Sequence, residues 1–174
     1  LFRGIFGLKE IAAHNDRDRP IRMALLATLR TIVHRNVVLP GVNFYYRRLY
    51  GMDFGTDVRV SMGARLDKTF PRGIHIGDCT VVTSGAAILT HDFVNRQHRE
   101  VRIGRNCFIG YGAVVLPGVT IGDSVIVTAN SVVGRDVPSN CVVMGNPARI
   151  VEQNIVTGAW GIRLDKGDAS PIRR

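Results

Sequence analysis

Cysteine is scarce in this 174-residue sequence. Cys79, Cys107 and Cys141 form an odd set with no CxxC or CxxH spacing. That pattern argues against a disulfide framework or a small zinc module and suits a reducing compartment, so the expected location is cytoplasmic. Long apolar runs are missing too: none approaches the roughly 18 residues expected of a spanning helix. Acidic residues are in deficit, 14 Asp and Glu against 23 Lys and Arg, for a net charge of +9. The arginines are scattered rather than gathered into a tract with interleaved aromatics, which argues against nucleic acid as a partner. The same charge suits phosphorylated small molecules. The chain begins at Leu1 rather than Met, which is compatible with a removed leader. Its length points to one principal domain.

What is present is a period of six. Ile103, Ile109, Val115, Ile121, Val127 and Val133 follow one another at that spacing. Four places after each come Cys107, Ala113, Val119, Val125, Ser131 and Val137, all small or medium. Ile76, Val82 and Ile88 repeat the pattern upstream, and Phe54, Val60 and Leu66 repeat it more weakly. Within a short strand, alternate side chains share a face. The aliphatic and the small residue two places before the next one therefore point inward. Glycine after the aliphatic, as at Gly104, Gly110, Gly122 and Gly134, is expected to supply the turn's backbone angles. Three such hexapeptides close a triangular rung, and stacked rungs bury one apolar column. A helical reading fails because period six keeps no single helix face.

Grouping by threes predicts an all-β main domain of four rungs, starting at Phe54, Ile76, Ile103 and Ile121. The phase breaks near Pro71–His75 and across Phe93–Arg102. Each break follows the third hexapeptide of a rung, so both loops should leave from one corner, and loops on a rigid scaffold commonly carry function. The expected organisation is a helical segment over 1–50, the coil over 51–152 and a tail over 153–174. Within the first, Arg19–Arg35 reads as an amphipathic helix with Asp18 as cap and Pro20 in the first turn. A shorter helix is expected over Phe2–Ile11. Their apolar faces either pack on the coil or a neighbour, or associate weakly with a membrane surface. The tail lacks periodicity and reads as mobile.

The stretch from Ile103 to Glu152 resembles the hexapeptide-repeat acyltransferases. Val-Leu-Pro-Gly-Val-Thr-Ile-Gly ending at Gly122 and Gly-Asn-Pro-Ala-Arg at 145–149 are its sharpest signatures. With the upstream rungs the resemblance covers Gly51–Glu152 and is nearest to sugar O-acetyltransferases of the maltose and galactoside type. Leu66-Asp67-Lys68-Thr69 and Gly73-Ile74-His75-Ile76-Gly77 look closer still to enzymes that acetylate surface polysaccharides. The resemblance implies a left-handed parallel β-helix, which periodicity alone does not specify. It also implies acetyl-CoA as acyl donor, a sugar hydroxyl as acceptor, no metal, and a homotrimer with sites between subunits.

The same resemblance places the general base at His91, in Leu89-Thr90-His91-Asp92-Phe93. It implies direct transfer in a ternary complex, with no nucleophilic cysteine or serine. Asp92 either orients His91 or caps the turn. Asp67, Lys68 and His98 are acceptor-binding candidates, Asp67 by bonding a sugar hydroxyl or orienting the base. Galactoside-type enzymes carry an asparagine in that neighbourhood, where this chain has Gly63, Arg65 and Asp67. Tyr111, Gly112 and Ala129 are expected to line a CoA track beside His91. Arg135 and Arg149 are candidates for its phosphates, since arginine's fork suits phosphate. Phe108 stands where most family members have tryptophan and either lines the acyl slot or covers the corner. His75 is expected to be structural. Two readings compete: an N-acyltransferase on an amino sugar or small molecule, and a non-catalytic or γ-carbonic-anhydrase-like coil using His75, His91 and His98 for metal.

Overall fold

The computed structural model describes residues 26–29, 32–33 and 37–165. The chain divides into two compact units, residues 1–40 and 41–174. In the first, residues 26–29 and 32–33 are helical and Leu26, Leu29, Ile32 and Val33 are exposed. The expected helix over Phe2–Ile11 and the remainder of Arg19–Arg35 lie outside the described residues. No helix among the described residues is long and apolar enough to cross a membrane.

Helix α1, Leu39–Tyr50, was not foreseen as a separate element. Arg47 and Arg48 occupy its last turn, where cations complement the carbonyl end of the helix dipole. Gly51 follows in the left-handed conformation, φ +66°, a common way to stop a helix. Tyr46 is buried, and its ring lies 6.3 Å from that of Phe54. Asn43 Nδ2 donates to the Val58 carbonyl, so the helix seals the first end of the coil.

The coil has three walls. The first stacks Asp53–Phe54, Ile74–Ile76, Val101–Ile103 and Thr120–Ile121 in parallel. The second stacks Arg59–Val60, Val81–Val82, Phe108–Ile109, Ile126–Val127 and Cys141–Met144, ending in the antiparallel Arg149–Gln153. The third stacks Arg65–Leu66, Ala87–Ile88, Val114–Val115 and Val132–Val133. Every period-six aliphatic pairs with its counterpart one rung away, as Phe54 with Ile76 and Ile103 with Ile121. All are buried, and full burial of such a side chain is worth ~1.5–3 kcal/mol. A bridge from Ile121 to Val137 starts a partial fifth rung. Of the inward polar groups, Thr80 donates to the Gly104 carbonyl (2.8 Å) and accepts from Cys107 N–H (3.0 Å). Burial pushes the Cys107 thiol up to about 11, so it is a neutral packing group.

Two expectations need correction. Glycine after the aliphatic does not supply unusual angles: Gly55, Gly77, Gly104 and Gly122 all lack positive φ. The left-handed residues stand three places after the aliphatic, as Asp57, Cys79, Asn106 and Ser124. The glycines are needed because rungs touch there. A Cβ on Gly104 would sit 2.6 Å from the carbonyl carbon and oxygen of Gly122, and one on Gly77 would sit 2.7 Å from the Gly104 carbonyl carbon.

The tail is not mobile over its described part. Residues 153–165 run back down the corner between the first and second walls. Ile155 N–H donates to the Asn140 carbonyl (3.1 Å) and Thr157 Oγ1 to that of Asn106 (2.8 Å). Trp160 then donates its N–H to the Cys79 carbonyl (2.7 Å) and Nε1 to that of Asp57 (3.1 Å). The Arg59 guanidinium lies 3.3 Å from the Trp160 ring centroid, a cation–π contact. The strap thus uses carbonyls left unpaired at the turns, which a search for periodicity cannot detect. Residues 166–174 lie outside the described residues.

Candidate functional site

Both loops leave from the corner between the third and first walls, as the phase breaks imply. The first follows Arg65–Leu66 and contains the short 3-10 turn Pro71–Gly73. The second follows Ala87–Ile88 and forms a two-stranded hairpin, His91–Asp92 paired antiparallel with Gln97–His98. Asp67 ties the two together. Thr69 N–H donates to its Oδ1 (2.8 Å), while Thr90 and His91 N–H both donate to its Oδ2 (3.0 Å each). Thr90 Oγ1 donates to the Phe70 carbonyl (2.8 Å) and is fully buried.

His91 is half-buried at the root of the hairpin and faces His98 across the register, with ring centroids 6.0 Å apart. His98 stacks on Phe70 at 5.1 Å, with the planes 9° apart. Phe93 approaches His91 edge-on at 6.0 Å. His91, Phe93, Val94, Arg96 and His98 line an open cavity of about 690 Å³. Phe70 and Arg96 were missed by the sequence reading. Phe70 shares a loop with Asp67, but nothing in a linear reading links it to a histidine 28 positions on.

Asp92 is committed to its own turn, accepting from Asn95 N–H (3.0 Å) and Asn95 Nδ2 (2.6 Å). Those bonds, the backbone one foremost, hold its carboxyl below the usual carboxylate range. Burial pushes the Asp67 carboxyl up, but the N–H groups of Thr69, Thr90 and His91 together outweigh it and leave it lowered. A lowered native pKa contributes stability above the ordinary aspartate value of about 3.9, which is lost as pH falls through the native value. Replacing Asp67 by Ala would leave three N–H donors without their acceptor, at an expected ~1–3 kcal/mol. Thermal melts of wild type and Asp67→Ala should therefore differ at pH 7, with the gap closing as pH falls below the ordinary aspartate value and through the lowered native one. A gap independent of pH would assign the loss to packing instead.

The other candidates are not all brought to this corner. Lys68 turns towards α1, its Nζ 5.5 Å from the Tyr50 ring centroid. Arg135 is exposed on the same corner as His91, beside Asp136, whose Oδ1 accepts from Thr120 N–H (2.7 Å). Tyr111, Gly112 and Ala129 occupy the corner between the second and third walls. There Asn130 N–H donates to the Tyr111 carbonyl (2.8 Å) and Tyr111 is exposed. The expected CoA track is therefore not beside His91 within one chain: the third wall separates the two. Arg149 is exposed at the start of the antiparallel closing strand. Phe108 faces outward on the second wall, where Gly161 of the strap lies against it; it covers that wall rather than reaching His91.

His75 lies on the outer face of the first wall, between Asp53 Oδ2 (3.1 Å from Nδ1) and Glu100 Oε2 (3.6 Å from Nε2). It is not brought together with His91 and His98. Among the described residues, no group of three or more His, Cys, Asp or Glu is placed to hold a metal ion.

A family model described as bacterial transferase hexapeptide (six repeats) matches residues 100–135. A Bacillus subtilis (strain 168) protein named as an acetyltransferase is 35% identical over 63% of this chain; the match spans 64% of that relative's length, just under two thirds. Protein CapG of Staphylococcus aureus is 38% identical over 60% of this chain and 67% of its own. An Escherichia coli (strain K12) protein, named for O-acetyl transfer in lipopolysaccharide biosynthesis, is 28% identical over 80% of this chain and 91% of its own. Among solved structures, a hexapeptide-repeat acetyltransferase from Vibrio cholerae O1 biovar eltor, complexed with acetyl coenzyme A, is similar with a TM-score of 0.51. It is 26% identical over 73% of this chain and 84% of its own.

Proposed function

Because the chain belongs to the hexapeptide-repeat acyltransferase family, we propose that it transfers an acetyl group from acetyl-CoA to a sugar hydroxyl, with His91 as general base. The observation that carries this is the cavity at the root of the hairpin, which puts two imidazoles, an aromatic ring and a cation around open space. Imidazole titrates near working pH and both accepts and returns a proton. His91 takes the acceptor hydroxyl proton as that oxygen attacks the thioester carbonyl. A tetrahedral oxyanion forms, the carbon–sulfur bond breaks, and the imidazolium returns its proton to the leaving thiolate. The products are an acetyl ester and free CoA thiol. The raised pKa of buried Cys107 suits a transfer that uses no cysteine nucleophile.

Support for acetyl-CoA comes from the Vibrio cholerae structure, and for a sugar hydroxyl in surface-polysaccharide synthesis from the name of the Escherichia coli relative. In this reading Tyr111, Gly112 and Ala129 line the pantetheine path, with Arg149 of the same copy at its phosphates and Arg135, which shares the His91 corner, reaching them from the neighbouring copy. The third wall divides that path from His91, so the site closes only when the corner of one copy meets the other corner of the next. A cyclic trimer repeats that single heterologous contact three times. The test is incubation with acetyl-CoA and a panel of sugars, read by mass spectrometry and thiol release. O-acetylated product is the expected result; no CoA binding at high concentration would overturn the reading.

A further inference from the structure

We propose that Arg96 is an anion receptor in the acceptor subsite, so that the acceptor is an acidic saccharide carrying a carboxylate or phosphate. This rests on the acetyl-transfer reading for the word acceptor, but the receptor itself is argued from the cavity. Arg96 lines the same space as His91 and His98. The other charged groups of its loop are engaged: Asp92 is bonded to Asn95, and Glu100 pairs with Arg102 and lies beside His75. Arg99 packs its guanidinium against Gly118. Asp67, the nearest carboxylate of the other loop, is committed to three backbone N–H groups. Among the described residues, no carboxylate lies within ion-pair distance of Arg96. A cation facing a cavity with no counter-ion attracts an anionic ligand, and a guanidinium grips carboxylate or phosphate through paired hydrogen bonds.

The backbone supplies a second, independent observation. Arg96 has φ +53°, the left-handed conformation that closes this hairpin. With Cys79, Ser124 and Trp160 as the exceptions, such positions among the other described residues are filled by glycine, asparagine or aspartate, as at Gly112, Asn106 and Asp57. Those residues tolerate the conformation; arginine has no local compensation for it. The hairpin thus carries a long cation at a position that glycine or asparagine would fill with less strain, and holds it beside two imidazoles and the exposed Phe93 ring. The apolar wall from Phe93 and Val94 suits the flat face of a pyranose, leaving Arg96 to select charge.

The test is equilibrium binding, by calorimetry or ligand-observed NMR, of methyl glucuronide and methyl galacturonide against their neutral glycosides. The full chain is used, without acetyl-CoA. The acidic sugars are expected to bind about ten-fold more tightly or better, the range of a charge-assisted contact. Arg96→Gln should abolish that preference and Arg96→Glu should reverse it. Arg96→Gly, which relieves the backbone, should fold at least as well and bind as Arg96→Gln does. Equal binding of acidic and neutral sugars, or a preference that survives Arg96→Gln, would overturn the proposal. So would an Arg96→Gln enzyme changed only in its KM for acetyl-CoA, which would assign the guanidinium to a CoA phosphate. Arg96-dependent binding of the acid without acetyl transfer would keep the receptor and reject the transferase reading.

Discussion

Replacing His91 by Ala should lower acetyl transfer by about 10²–10⁴-fold, the usual contribution of a positioned general base. The loss should fall on kcat, with the KM for acetyl-CoA little changed, because in the proposed mechanism His91 handles the acceptor proton and does not hold CoA. Thermal stability should hardly move: the imidazole is half-buried, and the hairpin is held by backbone pairing with Gln97–His98 and by the N–H bonds to Asp67. His98→Ala is the comparison, since His98 is exposed and stacked on Phe70. It should weaken acceptor binding more than turnover. Initial rates of thiol release at saturating acetyl-CoA, alongside a melting curve, measure both. A His91→Ala enzyme with full transfer activity would move the base elsewhere.

Gly104→Ala should destabilise the coil by about 3 kcal/mol, the upper part of the usual cost of overpacking. For a chain of this size that corresponds to a fall of roughly 10 °C in the melting midpoint. The added methyl would sit 2.6 Å from the Gly122 carbonyl, and Gly104 N–H already donates to the Ile121 carbonyl at 2.8 Å. The Asp123 carboxylate, also in contact with that methyl, can turn aside, but the Gly122 backbone cannot; the rungs must separate and lengthen that bond. Gly41→Ala is the control, since nothing lies within 4 Å of a Cβ there and the residue sits in α1. It should be neutral or slightly stabilising. If Gly104→Ala melts with wild type, the glycines are there for the chain's turns after all.

Much of the coil was legible because burial in it is periodic. A residue such as Val115 is inward for a reason the sequence repeats every six positions, so wall, rung and register follow from counting. His91 was legible only through its motif, and the corner it shares with Asp67 through the two phase breaks. The grouping of Phe70, Arg96 and His98 was not, because each belongs to a loop whose path depends on what it packs against. The strap was hidden for a similar reason: Ile155, Thr157 and Trp160 bond to main-chain carbonyls, which every residue carries and no pattern advertises.

By itself, the sequence determined that inward positions recur with period six, that three such units close a rung, and that the interruptions fall at one corner. Local backbone geometry and alternating burial suffice for that. Only the tertiary structure decided why glycine follows the aliphatic, which carboxylate holds His91, and that Tyr111 and Ala129 stand across a wall from it. These depend on how close one rung lies to the next and on which side of a triangle a residue falls. Both are set by packing between segments 18 or more residues apart.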